Sequence, residues 1–299
     1  MELRERIAYI VISLLASVAI VSVILIFIFI TKESLPIFFN PEIKKEANFR
    51  SFFLTRDWQP IGLEPKYSFL PLIVGTLKVT VVALIVALPL SLGSAIFTAE
   101  FAPRKLREVI KPIIELFSAI PSVVLGFFAL MTIASWVQSI FHATSRLNAV
   151  TAGFALAFAV IPITYTICED ALSTVPRELR EASIALGATK WQTTIKVVLP
   201  SASGGIFAGV ILGLARAIGE TMIVLMVSGN AAQITWSFLD SVRTIPATIA
   251  AEMGEVAFGS AHYAVLFLLG LLLFSITFVI NYIASTLLER TQKRLRGEK

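Results

Sequence analysis

The 299-residue chain is 57% hydrophobic and only 15% charged, with a mean hydropathy of +0.84 and a formal net charge of +5. Soluble domains run about 45–50% apolar and about 25% charged, so this balance excludes an ordinary soluble fold and indicates an all-α polytopic membrane protein. Lys and Arg fall in blocks between long apolar runs, which is a topology signal and gives no argument for nucleic-acid binding.

A spanning helix needs about 20 mostly apolar residues, and six segments qualify: about 7–30, 71–97, 113–137, 148–168, 204–227 and 261–288. They form one transmembrane domain over 1–299, with no stretch left for a separate soluble domain. The run from Ile7 to Ile30 exceeds the roughly 7–15 residues of a signal-peptide core. "TKESLP" after it offers no small-residue cleavage site, so a retained first helix is expected.

The external segment 31–70 mixes aromatics, charges and prolines at 36, 41, 60 and 65, which disfavour long helix. It reads either as a folded cap on the outer surface or as part of a docking face for an external partner. Lys78 lies about two turns into the second span. It either snorkels to the interface or stands on a substrate path.

Basic residues set the orientation. Arg104, Lys105, Arg107 and Lys111 follow the second span, and Arg177, Arg180, Lys190 and Lys196 lie between the fourth and fifth. The tail carries Arg290, Lys293, Arg294, Arg296 and Lys299, and the N-terminus carries Arg4 and Arg6. The connections 138–147 and 228–260 carry only Arg146 and Arg243. Both termini are therefore expected on the cytoplasmic side. Cys168 is a lone cysteine, and His142 and His262 lie in separate external connections, so no metal site is expected.

The cytoplasmic segment 169–200 is the longest on its side. Pro176 suits a helix start, "RELREASIAL" places Leu179, Ser183 and Leu186 on one face, and Gly187 suits a stop. A second short helix, "TKWQTTIKVV", is expected to end at Pro200. Two such helices hinged at a glycine and lying against the inner membrane face make a platform for a cytoplasmic partner.

"GVILGLARAIGETMIVLMVSGN" (209–230) reads as a span with charges in its middle. On a continuous helix Arg216 and Glu220 lie about 40° apart with about 6 Å of rise. Gly205, Gly209 and Gly213 fall on the same face as a packing ridge, and Ile223 and Val227 continue it as an apolar wall. Either the pair locks helix packing, or the stripe lines a path on which Arg216 binds an oxyanion and Glu220 holds it in place. Beyond this span, "IPATIAAEMGEVAFG" reads as a short surface helix and glycine turn, with Glu252 and Glu255 on a solvated face.

"EASIALGATKWQTTIKVVLP" resembles the EAA loop of ABC importer permeases. Glu181, Ala182, Ser183, Gly187, Val197, Leu199 and Pro200 occupy the motif positions, with Ser183 and Val197 as conservative departures. The resemblance implies type I permease architecture and a loop that couples to an ATP-binding subunit. "RAIGETMIVLMVSGN" (216–230), "IPSVVLGFFAL" (120–130) and the stretch 247–281 are similar to permeases of the phosphate-specific transport (Pst) family. The long first external segment and "GSAHY" favour its PstC-type subunit.

The likeness implies import of inorganic phosphate across a prokaryotic cytoplasmic membrane by alternating access, with Arg216 and Glu220 in transport. The implied partners are a PstA-type permease, two cytoplasmic ATPase subunits, an external phosphate-binding protein and membrane lipid. Leu125 stands where the resemblance expects Tyr, a departure expected to touch no functional residue. The sequence has no G-x-x-x-x-G-K-[ST] phosphate loop, so ATP and catalysis are expected on another chain, with no cofactor here. Residue chemistry leaves molybdate, tungstate or sulfate open as the cargo. A secondary carrier with paired broken helices is the rival of another class.

Overall fold

A computed structural model describes residues 3–48, 50–62 and 64–295; Arg296 and Lys299 of the basic tail lie outside them. Its six helices long and apolar enough to cross a membrane cover Tyr9–Phe39, Leu70–Phe101, Ser122–Phe141, Ala149–Ser173, Lys190–Gly219 and Ala261–Leu287. They are the first to sixth spans below.

The fourth span is the centre of the bundle. It starts at Asn148, whose side-chain carbonyl accepts the Thr151 N–H at 2.9 Å and so satisfies one orphan donor of the first turn. Its first turns bury a cluster of small residues, Ala149, Ala152, Gly153, Ala155 and Ala157. Small side chains let neighbouring helices approach closely in lipid, where tight packing replaces the hydrophobic drive. The second span packs on one side of it and the fifth on another, around Val79, Ala83, Leu156, Val160, Ile223 and Val227. From Tyr9 to Phe29 the first span is largely apolar and exposed, touching the sixth through Phe27–Phe274 and Phe29–Phe267, each at 5.6 Å.

Four expectations are corrected. The third span does not begin at 113. Arg104–Ser118 is a separate amphipathic helix, and Pro121 precedes a new helix at Ser122. Leu106, Val109, Ile113, Leu116 and Phe117 recur at helical spacing on one side of it, opposite Arg107 and Lys111. A window weighted for apolar length merged the end of this stripe with the next span.

The fifth helix does not stop at Pro200. Lys190–Gly219 is continuous through a π turn at Thr194–Val198. Pro200, in the first turn of the α-helical part, lacks an N–H and crowds the carbonyl four residues back. The wider turn before it relieves that conflict. At the other end this helix closes at Gly219, and a short one restarts at Met222–Val227.

The 228–260 connection is no surface loop. Ser228, Val242, Thr244, Ile245, Pro246, Ala247 and Thr248 are all buried, and the Ile245 N–H donates to Thr76 Oγ1 of the second span at 3.1 Å. The loop dips back into the bundle.

The 31–70 segment folds over the same end as helices Pro36–Phe39, Pro41–Glu46 and Ser51–Leu54 and the paired strands Trp58–Gln59 and Lys66–Tyr67. Two of these helices carry a proline in the first turn, the position that tolerates it. Ile37, Phe52, Trp58 and Tyr67 pack on Leu72, Ile245, Leu266 and Leu269 as one outer core.

Candidate functional site

Arg216 stands in the last turn of the fifth span, and the helix ends immediately beyond it. Glu220 is extended (φ −72°, ψ 129°), so the pair does not lie on one continuous helix face as the sequence suggests. It forms nonetheless. Arg216 Nη2 lies 3.1 Å from Glu220 Oε2, with the carboxylate side chain 5% exposed and the guanidinium 48% exposed. A broken backbone at membrane depth is tolerated only where protein or a wet cavity surrounds it.

The guanidinium borders a recess of about 390 Å³. Phe117, Ser118, Ile120, Ser122 and Leu125 form one wall, and Ala159 and Ile163 of the fourth span another. The only charge on this lining is Arg216, and the only side-chain hydroxyls are Ser118 and Ser122. Ser118 Oγ donates to the Glu115 carbonyl at 2.6 Å, which leaves its lone pairs directed elsewhere. With a guanidinium, the Ser122 hydroxyl and no carboxylate, such a lining favours an anion over a cation. The Leu125 departure therefore falls on the recess wall, contrary to expectation, because the Ser122 helix turns that residue toward Arg216.

The glycine stripe points elsewhere. A Cβ at Gly205, Gly209 or Gly213 would meet Ala171, Cys168 or Thr164 of the fourth span at 2.5, 2.9 and 2.4 Å. The glycines thus bring the fifth span against the fourth and fix the height of Arg216 over Ala159 and Ile163. Ile223 and Val227 are fully buried in the middle core and form no path wall.

Lys78 reaches from the second span to the 228–260 connection. It is buried, and its ammonium donates to the carbonyl of Thr235, to Thr235 Oγ1 at 3.0 Å and to the Ser237 carbonyl at 2.9 Å. It also sits 5.6 Å from the centre of the Phe238 ring. It pins the re-entrant loop. Glu252 leaves the solvated face expected of it. Arg243, His262 and Trp58 all bond its carboxylate, while Glu255 stays exposed.

At the end of the bundle away from the 31–70 cap, the helix expected to couple to an ATPase runs over Arg177–Ala185 and has no buried residue. Gly187 closes it at φ +86°, with its N–H on the Ile184 carbonyl at 2.9 Å; a side chain there would be strained. Thr189 and Gln192 then form a reciprocal capping box. Ser183 Oγ meets Thr193 Oγ1 at 3.0 Å across the hinge. Glu181 and Ala182 are exposed, Val197 and Leu199 are half-buried, and Pro200 is exposed. Leu186 is 90% exposed and Trp191 is 59% exposed. Trp191 touches the Phe101 ring, at 5.9 Å between centres, and both tips stay largely exposed.

Sequence reasoning passed over a polar cluster near this platform. Glu169 is buried and binds both Arg107 (3.0 Å) and Lys111 (2.8 Å), and Lys111 also reaches Asp170 at 2.8 Å. Hydrogen bonds to Asp170 and then Glu169 push the Lys111 ammonium pKa well above its ordinary value. Arg180 pairs with the nearly buried Glu100 at 2.7 Å. The available signal was Arg107 and Lys111 one helical turn apart, counted only as topology charges.

Residues 91–296 match the family described as binding-protein-dependent transport system inner membrane component. The chain is 38% identical to the phosphate transport system permease protein PstC of Mesorhizobium japonicum over 82% of its length and 80% of that protein. It is 37% identical to a probable ABC transporter permease, YqgH, of Bacillus subtilis, over 78% and 77% of the two chains. Among solved structures, an inward-facing MetNI methionine ABC transporter superposes with a TM-score of 0.54 at 20% identity, over 75% of this chain and 97% of that one. The architecture is that of a type I ABC importer permease, a multi-pass inner-membrane protein. The chain belongs to the binding-protein-dependent transport family and, within it, to the PstC-type permeases of the Pst family.

Proposed function

We propose that this chain is the PstC-type half of an ATP-driven importer that carries inorganic phosphate across the cytoplasmic membrane by alternating access. Arg216, half-exposed over the recess at membrane depth, carries the proposal. An unpaired charge facing lipid is costly, whereas a guanidinium facing a wet path can donate two parallel hydrogen bonds to phosphate oxygens. Ser122 adds a hydroxyl donor to the same lining. Glu220 holds the guanidinium between passages and competes with the anion, keeping binding weak enough for release.

In this reading a PstA-type permease supplies the facing wall. One of two cytoplasmic ATPase subunits docks at Glu181, Ala182, Ser183 and Gly187, with Val197, Leu199 and Pro200 backing that platform. ATP stays on those subunits, an external phosphate-binding protein delivers the cargo, and both termini lie in the cytoplasm. The relatives named PstC support phosphate as the cargo.

The test is uptake of labelled phosphate by the assembled complex in proteoliposomes. Arg216→Gln should lower it by about a hundredfold with assembly intact, and excess molybdate, tungstate or sulfate should compete poorly. Normal uptake by the assembled variant would remove Arg216 from the path. Equal competition by another oxyanion would reassign the cargo.

A further inference from the structure

Two helices of this chain hold to the bundle without burying a side chain: the coupling helix Arg177–Ala185 and the amphipathic helix Arg104–Ser118. Ile110 and Ile114 of the second pack, half-buried, on Tyr165, Cys168 and Leu172, and the contacts that fix direction are polar and specific. Arg180 lays its guanidinium on Glu100, Nη2 to Oε1 at 2.7 Å and Nε to Oε1 at 3.2 Å. The same group donates to the carbonyls of Leu172 (2.8 Å) and Val175 at the end of the fourth span. Glu100 lies in a π turn, Phe97–Phe101, that closes the second span just before Arg104–Ser118 begins. That helix is then held by Arg107 to Glu169, to Ser173 Oγ at 2.9 Å and to the Ala99 carbonyl at 3.2 Å, and by Lys111 to Glu169 and Asp170. Its far end, about 20 Å away at the α-helical rise, delivers Phe117 and Ser118 to the recess beside Arg216.

We infer that Arg180–Glu100, with Arg107 and Lys111 on Glu169, is a transmission strut that carries displacement of the coupling helix to the recess wall through Arg104–Ser118. Buried ion pairs are poor sources of net stability, because desolvation offsets most of their attraction. Their planar, forked geometry fixes direction instead. Arg104–Ser118, seated on the fourth span by Ile110 and Ile114 and by its ion pairs to Glu169 and Asp170, shifts as a rigid unit when those contacts move. Arg180 and Glu100 are thus positioning residues: neither lines the recess, and both act through Ser118 and Phe117. The inference rests on the reading that ATPase subunits dock on the coupling helix.

The experiment uses the complete complex with its ATPase and binding-protein subunits, carrying Leu116→Cys on the exposed stripe near the recess. Cys168 is fully buried, so a membrane-impermeant maleimide reports position 116. In the otherwise native complex, ATP with vanadate should change the labelling rate at least about threefold against the nucleotide-free state. Glu100→Gln should abolish that change and lower labelled-phosphate uptake about tenfold, with ATP hydrolysis kept within about twofold. Arg180→Lys keeps the charge but cannot span the carboxylate and the carbonyls together. It should act in the same direction and carries the test if Glu100→Gln fails to assemble. A nucleotide-dependent change that survives in either assembled variant, or is missing in the native background, overturns the strut. A background that shows the change but takes up no phosphate overturns the phosphate reading and leaves the strut standing.

Discussion

Arg243 Nη1 and Glu252 Oε1 meet at 2.8 Å, clasping two parts of the re-entrant external loop. The other carboxylate oxygen binds His262 Nε2 of the sixth span at 2.9 Å, and Trp58 Nε1 of the external segment donates to Oε1 at 3.1 Å. One carboxylate therefore ties the outer cap, the loop and a span together. Burial alone would raise its pKa, but the bonds from His262 and Trp58 and the charge of Arg243 hold it below the ordinary 4.5.

A carboxyl whose folded pKa is depressed stabilises the fold fully above its unfolded value and loses that contribution as pH falls through the folded one. Thermal unfolding of the purified protein should be insensitive to this group from neutral pH to about 5, then fall below 4.5. Glu252→Gln should lose about 3 kcal/mol at neutral pH and flatten the acid limb. An unchanged acid limb in the variant would show that another group governs it.

Lys78 gives a separate test, because its ammonium is spent on the Thr235 and Ser237 carbonyls. Lys78→Met keeps the stem but strands those acceptors, at a cost of about 2 kcal/mol. Protease cleavage within 229–244 should rise, while phosphate uptake by intact complexes stays within about twofold. A collapse of uptake without loop opening would put Lys78 on the path.

Two glycines near the Glu220 end of the fifth span should respond differently to added bulk. At Gly213 a new Cβ lands 2.4 Å from Thr164 Oγ1 and 3.2 Å from Val160 Cγ1, so Gly213→Val should cost about 3 kcal/mol and lower assembly. At Gly219 nothing lies within 4 Å, and Gly219→Ala should be neutral in melting temperature. Equal shifts at both sites would mean that the two spans are not held by close approach.

The coupling hinge is constrained by backbone, not space. Gly187 sits at φ +86° with open surroundings, so Gly187→Ala costs about 1–2 kcal/mol from conformation alone. Gly187→Pro also removes the N–H bonded to Ile184. Glu181→Lys changes an exposed charge on the platform. Both should separate ATP hydrolysis from phosphate uptake in the assembled complex. Coupled activity at native levels in both would displace the docking site from this hinge.

The bundle was legible in the sequence because span-length apolar runs carry their own evidence. So were the turn at Gly187 and the ridge of Gly205, Gly209 and Gly213, which are set by local backbone and spacing. The break at Glu220 was not, since the apolar run continues past Gly219 to Val227 and an isolated glycine inside such a run is compatible with an unbroken span. Ser118, Ser122 and Leu125 joined Arg216 only once Arg104–Ser118 was separated from the third span. The partners of Lys78 lie in a loop that hydropathy places outside the membrane, so nothing local marks Thr235 or Ser237 as its acceptors.

The π turn at Thr194–Val198 has one more effect. A π turn stores an extra residue without redirecting the helix on either side of it. Removing one residue there would leave Gly205, Gly209 and Gly213 facing the fourth span, although Pro200 would then press on the carbonyl behind it. The same deletion a few residues later, inside Leu199–Gly219, would rotate everything beyond by about 100° and carry Arg216 off the recess. The fifth span therefore has one place where its length can change without losing its aim, and it lies on the platform side of the membrane.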